Sequence, residues 1–185
     1  IYDTVSGASG APFQLTVNAG TLNWSGGIFG TVNVNTGATF LSASANWHYN
    51  TTLKLNTATS TAGLTVTTEI GEMDAVAGSV FKSLATGGTT NLSFNQDQTR
   101  VNDIAGNLID GDSGGKLGIV LGPNTGIPLV NLSGQNTYTG NTEARTAGSK
   151  LNLTGGKLTF KIEPSGVSNK IFGPGLVSLN GAFAI

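Results

Sequence analysis

Cysteine is absent from this sequence of 185 residues, charged residues make up only 10% of it, and histidine occurs once, as His48. Without cysteine, disulfides and thiolate metal sites are excluded. Nine basic and ten acidic residues give a formal net charge of −1, which offers no basic surface for nucleic acid. No apolar run is long enough to span a bilayer. We therefore expect neither nucleic acid nor a membrane span among the partners of this segment.

Glycine is abundant, with 28 residues, and most of the polarity comes from uncharged Thr, Asn and Ser. These residues are weak helix formers, whereas they suit tight turns and pleated sheets. The length allows one domain with a sizeable core, and we assign residues 1–185 to a single domain. The regular apolar positions described next argue against a disordered chain.

Short apolar pairs recur along the chain, each with one polar residue between its two members. The pairs are Leu15/Val17, Val32/Val34, Leu53/Leu55, Val130/Leu132, Leu151/Leu153 and Val177/Leu179. Alternation places both members on one face of a strand, and the glycines that follow allow the chain to turn. A spacing of about 22 residues predicts a β-solenoid of roughly eight coils, each unable to bury a core without its neighbours.

The pairs leave an alternative fold open, and the repeat lapses in one region. An antiparallel β-sandwich is the alternative all-β fold, because strand spacing alone does not exclude it. Periodicity lapses over residues 95–115, where Asp97, Arg100, Asp103, Asp110 and Asp112 collect. We predict an irregular insertion there, and residues 69–77 allow a short helical turn.

One stretch carries a family resemblance. Residues 132–140 read LSGQNTYTG, and residues 148–153 read GSKLNL. This phrase and its close resemble the autotransporter-associated β-strand repeat, with departures at Asn141, Glu143 and Arg145. The resemblance implies a right-handed parallel β-helix in an exported or cell-surface protein of bacterial type. The repeats of that family are structural, so it implies no catalytic residues. Because the chain starts at Ile1 rather than Met, we expect a mature or excised segment.

The motif GDSGG at residues 111–115 matches the nucleophile signature of chymotrypsin-like serine proteases. The remaining parts of such a site do not follow. His48 lies in the sequence NWHY, unlike the surroundings of that family's histidine, and Asp103 precedes Ser113 by only ten residues. We interpret the motif as a Gly-rich turn.

Two weak sites remain. Asp103, Asp110 and Asp112 offer oxygen ligands for Ca²⁺, although their spacing matches no calcium loop and a solvated acidic loop is the simpler interpretation. Trp24, Trp47 and Tyr49 together offer an aromatic surface for stacking sugars, although packing is the simpler role. No other cofactor is expected.

The sequence thus predicts a secreted or cell-surface structural or adhesive scaffold without catalytic residues. Self-association into a filament or layer is expected, with the apolar ends at Ile1, Tyr2, Phe183 and Ile185 completing the sheets of neighbouring copies. A surface glycan is a further candidate partner. The alternatives are a polysaccharide-degrading β-helix enzyme and a carbohydrate-binding module.

Overall fold

The computed structural model describes residues 12–45, 47–48, 50–95, 101–124, 126–160 and 169–179, with the backbone of 182–184. These residues form 21 strands, numbered in chain order, and within them the model contains no helix. The strands belong to four sheets. The long sheet comprises β1 (Phe13–Val17), β3 (Gly30–Val34), β5 (Thr52–Leu55), β8 (Glu72–Ala75), β11 (Val101–Ile104), β14 (Leu129–Leu132), β17 (Lys150–Leu153) and β20 (Leu176–Leu179).

Three smaller sheets complete the coils. The second sheet comprises β2 (Thr21–Trp24), β4 (Thr39–Ser42), β6 (Thr61–Leu64), β9 (Val80–Ser83) and β12 (Asn107–Ile109). The third sheet comprises β7 (Thr68–Ile70), β10 (Thr89–Phe94), β13 (Lys116–Leu121), β16 (Thr142–Ala144) and β19 (Ile171–Phe172). The short sheet comprises β15 (Gln135–Asn136), β18 (Lys157–Thr159) and β21 (Ala182–Ala184).

Throughout the described residues, neighbouring strands pair in parallel. Each coil begins with a strand of the long sheet, and the eight strands of that sheet mark eight coils. Parallel pairing between successive coils confirms the predicted β-solenoid and its number of coils. The antiparallel sandwich is therefore wrong.

The apolar pairs predicted from the sequence form two inward columns of the long sheet. Leu15 pairs with Val32, and Val32 pairs with Leu53. Farther along, Leu132 pairs with Leu153, which in turn pairs with Leu179. Because alternate residues of a strand point to the same face, this register stacks apolar side chains of successive coils on one another along the axis of the solenoid.

No apolar pair marks the first strand of coil four or of coil five, and the structure of these coils corrects the expected insertion at 95–115 and the short helical turn at 69–77. Met73 and Ala75 occupy the inward columns in β8, and Asn102 and Ile104 occupy them in β11. Because Ala75 is small and Asn102 is polar, the sequence does not show an apolar pair in these two strands. Residues 101–104 and 107–109 are regular strands, the turn at 110–115 links two strands, and residues 96–100 lie outside the described part.

The interior also holds large apolar side chains from the second and third sheets. Phe40 and Phe81 project from the second sheet, while Ile70 and Phe94 project from the third, each at most 1% exposed. Burial of this apolar surface is the main favourable contribution to folding, at roughly 25 cal/mol per Å².

A four-residue corner recurs where one face of a coil gives way to the next. It occurs at residues 57–60 (TATS), 76–79 (VAGS) and 146–149 (TAGS). In the second of these, the Ser79 amide donates to the Val76 carbonyl at 3.1 Å, and the Ser79 hydroxyl donates to the same oxygen at 2.7 Å. Gly78 has a φ of +87°, and a Cβ there would lie 2.9 Å from the Cβ of Ala58 in the preceding coil. This corner therefore requires glycine for both its backbone angle and its close approach.

Candidate functional site

The carboxylates are the first candidates for chemistry, and each one in the described ranges already has a partner. Asp103 accepts from Asn131, Asp112 pairs with Lys82, and Asp74 pairs with Lys54. Glu69, Glu72, Asp110 and Glu143 are also hydrogen-bonded. Six of these seven acids contact a residue of a neighbouring coil, and the exception is Glu143. The acids therefore link coils to one another.

Asp110 is the most heavily bonded of these acids. One carboxylate oxygen, Oδ1, accepts from the backbone amides of Leu117 at 2.8 Å and Thr139 at 2.9 Å. The other oxygen, Oδ2, accepts from the Thr139 hydroxyl at 2.5 Å. Three donors hold the half-buried carboxylate between coils five and six, which is the environment of a structural rather than a reacting group.

The three aspartates proposed as calcium ligands do not converge. Asp103 lies on the outward face of the long sheet, Asp110 lies at the corner after β12, and Asp112 extends toward Lys82 of coil four. In the described ranges, no group of three or more His, Cys, Asp or Glu side chains is arranged to hold a metal. The three weak candidates therefore do not form a calcium site together, because each carboxylate points to a different neighbour.

The GDSGG motif forms the turn between β12 and β13. The Gly114 amide donates to Gly111 at 3.2 Å, and Asp112 makes a 2.6 Å ion pair with Lys82. His48 lies in coil two, where its ring meets Phe29 edge-on at 4.7 Å and its Nδ1 accepts from the Asn50 amide. The turn connects the second sheet to the third, as its glycine content indicated, and Asp112 links it to coil four.

The predicted aromatic surface is wrong for Trp47, which is a core residue with 5% exposure. Its indole N–H donates to the Ser42 hydroxyl at 2.9 Å, and its ring packs against Phe40 with centroids 5.8 Å apart. A ring enclosed in this way has no face to offer a sugar. Tyr49 lies outside the described residues.

Trp24 is half-buried in the first coil and lies beside a groove of about 360 Å³ on the second sheet. Its indole N–H donates to the Gly26 carbonyl at 2.8 Å, and its ring contacts Phe13 at 6.3 Å. Asn23, Leu41 and Thr65 also line the groove. The groove combines an aromatic and an aliphatic side chain with uncharged polar groups.

The terminal residues expected to mediate assembly fall outside what the structure describes. Ile1, Tyr2 and Ile185 are not among the described residues, and of Phe183 only the backbone is described, within β21. The expectation that these side chains complete neighbouring sheets stays a prediction.

In the stretch that resembles the repeat, the side chains of Tyr138, Glu143 and Arg145 bond to other residues of the same coil. Tyr138 is fully buried and shares a 2.6 Å hydrogen bond with Thr142; burial raises the pKa of its phenol to about 12, opposed in part by that bond. Glu143 and Arg145 form an exposed two-bond pair at 3.0 and 2.7 Å. Hydrogen bonding from Arg145 lowers the pKa of the Glu143 carboxyl.

Two buried asparagines were missed by the sequence patterns. Asn102, inside the long sheet, accepts from the Met73 amide at 2.8 Å and donates to the Leu129 carbonyl at 3.1 Å. Asn136 accepts from the Leu108 amide at 3.1 Å. Each amide side chain supplies a bond between coils. The spacing of Asn102 and Ile104 matches that of an inward pair. It would have predicted this strand only if asparagine were counted among the inward residues.

No protein-family model, curated protein or solved structure matches the chain. The resemblance of residues 132–153 to the autotransporter-associated repeat therefore stays a prediction. Among the residues that the structure describes, no helix has the length and apolar character needed to cross a membrane.

Proposed function

We propose that this chain is a non-catalytic structural scaffold of a secreted or cell-surface protein. The observation that supports this most directly is that most of the described acidic side chains bond to neighbouring coils. Six of the seven described acids bond to a neighbouring coil, so the side chains best suited to chemistry serve coil stacking instead. Hydrolases and lyases of polysaccharides need acids or bases that face the substrate.

Outward asparagines support the same role. On the long sheet, Asn152 donates to Asn131 at 2.9 Å, and Asn131 donates to Asp103 at 2.7 Å. Beyond the strand ends, Asn56 donates to Asn35, which donates to Asn18. These ladders repeat one interaction along the axis, as a spacer requires, and they place little charge on the surface.

The direct test is an assay for cleavage of a panel of neutral and anionic polysaccharides, following reducing ends and unsaturated products. We expect no release by the wild-type chain. Release that disappears in Asp110→Asn or Asp112→Asn would contradict the proposal and favour a polysaccharide-degrading enzyme. Asp74→Asn, which alters another coil-linking acid, is the matched control.

A second test addresses modularity. In a stack, each coil contacts only its neighbours, so removing one whole coil should leave the others paired. We expect deletion of residues 133–153, the 21-residue step between two paired leucines, to give a folded but less stable chain. Complete loss of β structure by circular dichroism would contradict a modular spacer.

A carbohydrate-binding role is the second candidate, and the groove beside Trp24 favours it. The chain has only two tryptophans, and the other, Trp47, is buried. In a Trp47→Phe variant, Trp24 is therefore the sole indole reporter. Saturable fluorescence changes with cellohexaose, chitohexaose or laminarihexaose, lost in Leu41→Lys, would support binding in the groove. No change at millimolar oligosaccharide would exclude this role for these sugars.

A further inference from the structure

The face of the solenoid that begins as the second sheet changes its mode of pairing between coils five and six. Up to coil five, this face is one continuous sheet, in which β9 pairs residue by residue with β12. In coil six the short sheet takes over, and its first strand, β15, pairs onward with β18. Among the described residues, no strand ladder joins β12 to β15. The sheet on this face is therefore interrupted at one step in the middle of the stack.

Side chains take the place of the missing ladder. The Leu108 amide donates to Asn136 Oδ1 at 3.1 Å, and the Gln135 amide donates to Asn107 Oδ1 at 2.9 Å. One backbone bond also crosses the step, from the Thr137 amide to the Leu108 carbonyl at 3.0 Å. Each of the two strands thus has an amide that depends on an asparagine side chain of the neighbouring coil.

A carboxylate holds the far end of the same step. Asp110, just after β12, accepts from the Thr139 amide at 2.9 Å and from the Thr139 hydroxyl at 2.5 Å. The same carboxylate accepts from the Leu117 amide of its own coil at 2.8 Å. Asn107, Asp110 and Asn136 together anchor coil six to coil five on this face.

The other two faces are continuous across this step. In the long sheet, β11 pairs with β14 over four residues, and in the third sheet, β13 pairs with β16 over three. Leu108 and Asn136 are fully buried, so the interior is closed beneath the interruption. Coils five and six are therefore paired through the backbone on two faces and joined mainly through side chains on the third.

A side-chain link and a backbone ladder respond differently to local motion. A ladder fixes neighbouring strands at about 4.8 Å, and no side-chain rotation changes that spacing. An asparagine amide reaches its partner through two rotatable bonds, so the link breaks when the side chain changes its rotamer. Segments with fewer backbone bonds to their neighbours open at lower free energy than the rest of a fold.

We propose that this step is a joint, at which the face parts between coils five and six before the second sheet parts elsewhere. The long and third sheets stay paired and act as the hinge. The inference rests on the proposed scaffold role and deepens it, because a spacer with a joint bends at a fixed place along its length.

The test is native-state hydrogen exchange, followed for individual amides by NMR and corrected for intrinsic rates. We expect the amides of Leu108, Gln135 and Thr137 to exchange about tenfold faster than the hydrogen-bonded amides of β6, which lies within the continuous part of the second sheet. Equal protection of these two groups in the wild type would overturn the joint.

Asn136→Ala removes the acceptor of the Leu108 amide and should speed exchange at the joint about tenfold more, while the amides of β17 keep their rates. The matched control is Asn152→Ala, which removes an outward amide link between coils six and seven where the backbone ladder of β14 and β17 is intact. The control should leave exchange at the joint unchanged.

Two results in the variants would contradict the joint. If every slow amide of Asn136→Ala accelerates by the same factor, the step opens only with the whole chain. If Asn152→Ala speeds exchange at the joint as much as Asn136→Ala does, the effect is not local. Asn107→Ala, which removes the half-buried acceptor of the Gln135 amide, gives the same comparison if Asn136→Ala does not fold. These results leave the non-catalytic role intact, whereas polysaccharide cleavage would contradict that role without changing the exchange rates.

Discussion

The first and last strands of the long sheet carry the same kind of inward apolar pair, but solvent reaches them very differently. Leu15 and Val17 are almost fully buried, whereas Leu179 is 44% exposed. Both strands lie at an edge of the same sheet. Position at the edge of the sheet therefore does not by itself determine exposure. The first and last strands of the long sheet differ in how far solvent reaches their inward residues.

The largest expected effect comes from comparing the same substitution at a filled and an open rung. Leu132→Ala removes a fully buried side chain in coil six and should lower the free energy of unfolding by about 2–5 kcal/mol. Leu179→Ala, in the same column, should cost about 1 kcal/mol because part of its surface is already wet. Urea unfolding at low protein concentration measures both. Equal losses would contradict the difference in burial between the two rungs.

A buried polar link in the middle of the stack should matter nearly as much. Asn102→Ala leaves the Met73 amide without its acceptor inside the core, which should cost about 1–3 kcal/mol. The matched control is Asn152→Ala on the outward face, where water replaces the lost bond and the cost should be a few tenths of a kcal/mol. Thermal or urea unfolding of both variants would show whether inward asparagine acts as a coil link.

How far the sequence predicts this structure depends on the residue type in each inward column. Leu and Val pairs with a polar residue between them predict six of the eight rungs correctly. The rungs with Ala75 and Asn102 escape detection because alanine and asparagine do not distinguish inside from outside. Burial of Trp47 depends on Phe40, and the bonds of Asp110 depend on a neighbouring coil. Such contacts follow from the register between coils, which local patterns do not contain.

The phenol of Tyr138 should make coil six sensitive to alkali. Its pKa in the folded chain is about 12, against an ordinary value of 10.0, so the unfolded chain releases its proton first. Stability from this group is complete below pH 10 and is lost as the pH rises from 10 to 12, by about 3 kcal/mol. Tyr138→Phe should remove this increment from the pH dependence of urea unfolding. An unchanged slope in the variant would contradict a buried phenol.

The smallest effect is expected at the exposed pair of Glu143 and Arg145. Exposed ion pairs contribute about 0–1 kcal/mol and are screened by salt. Glu143→Gln should therefore change the urea midpoint slightly at low salt and not at 1 M salt. A change of equal size at low salt and at 1 M salt would contradict an exposed, screened pair.

Hydrogen exchange of the first and last strands of the long sheet, followed by mass spectrometry, tests the account most directly. Because the inward residues of β1 are buried and Leu179 of β20 is 44% exposed, we expect the amides of β20 to exchange faster than those of β1. Equal protection of the two strands, or faster exchange of β1, would contradict the difference in packing between these two rungs.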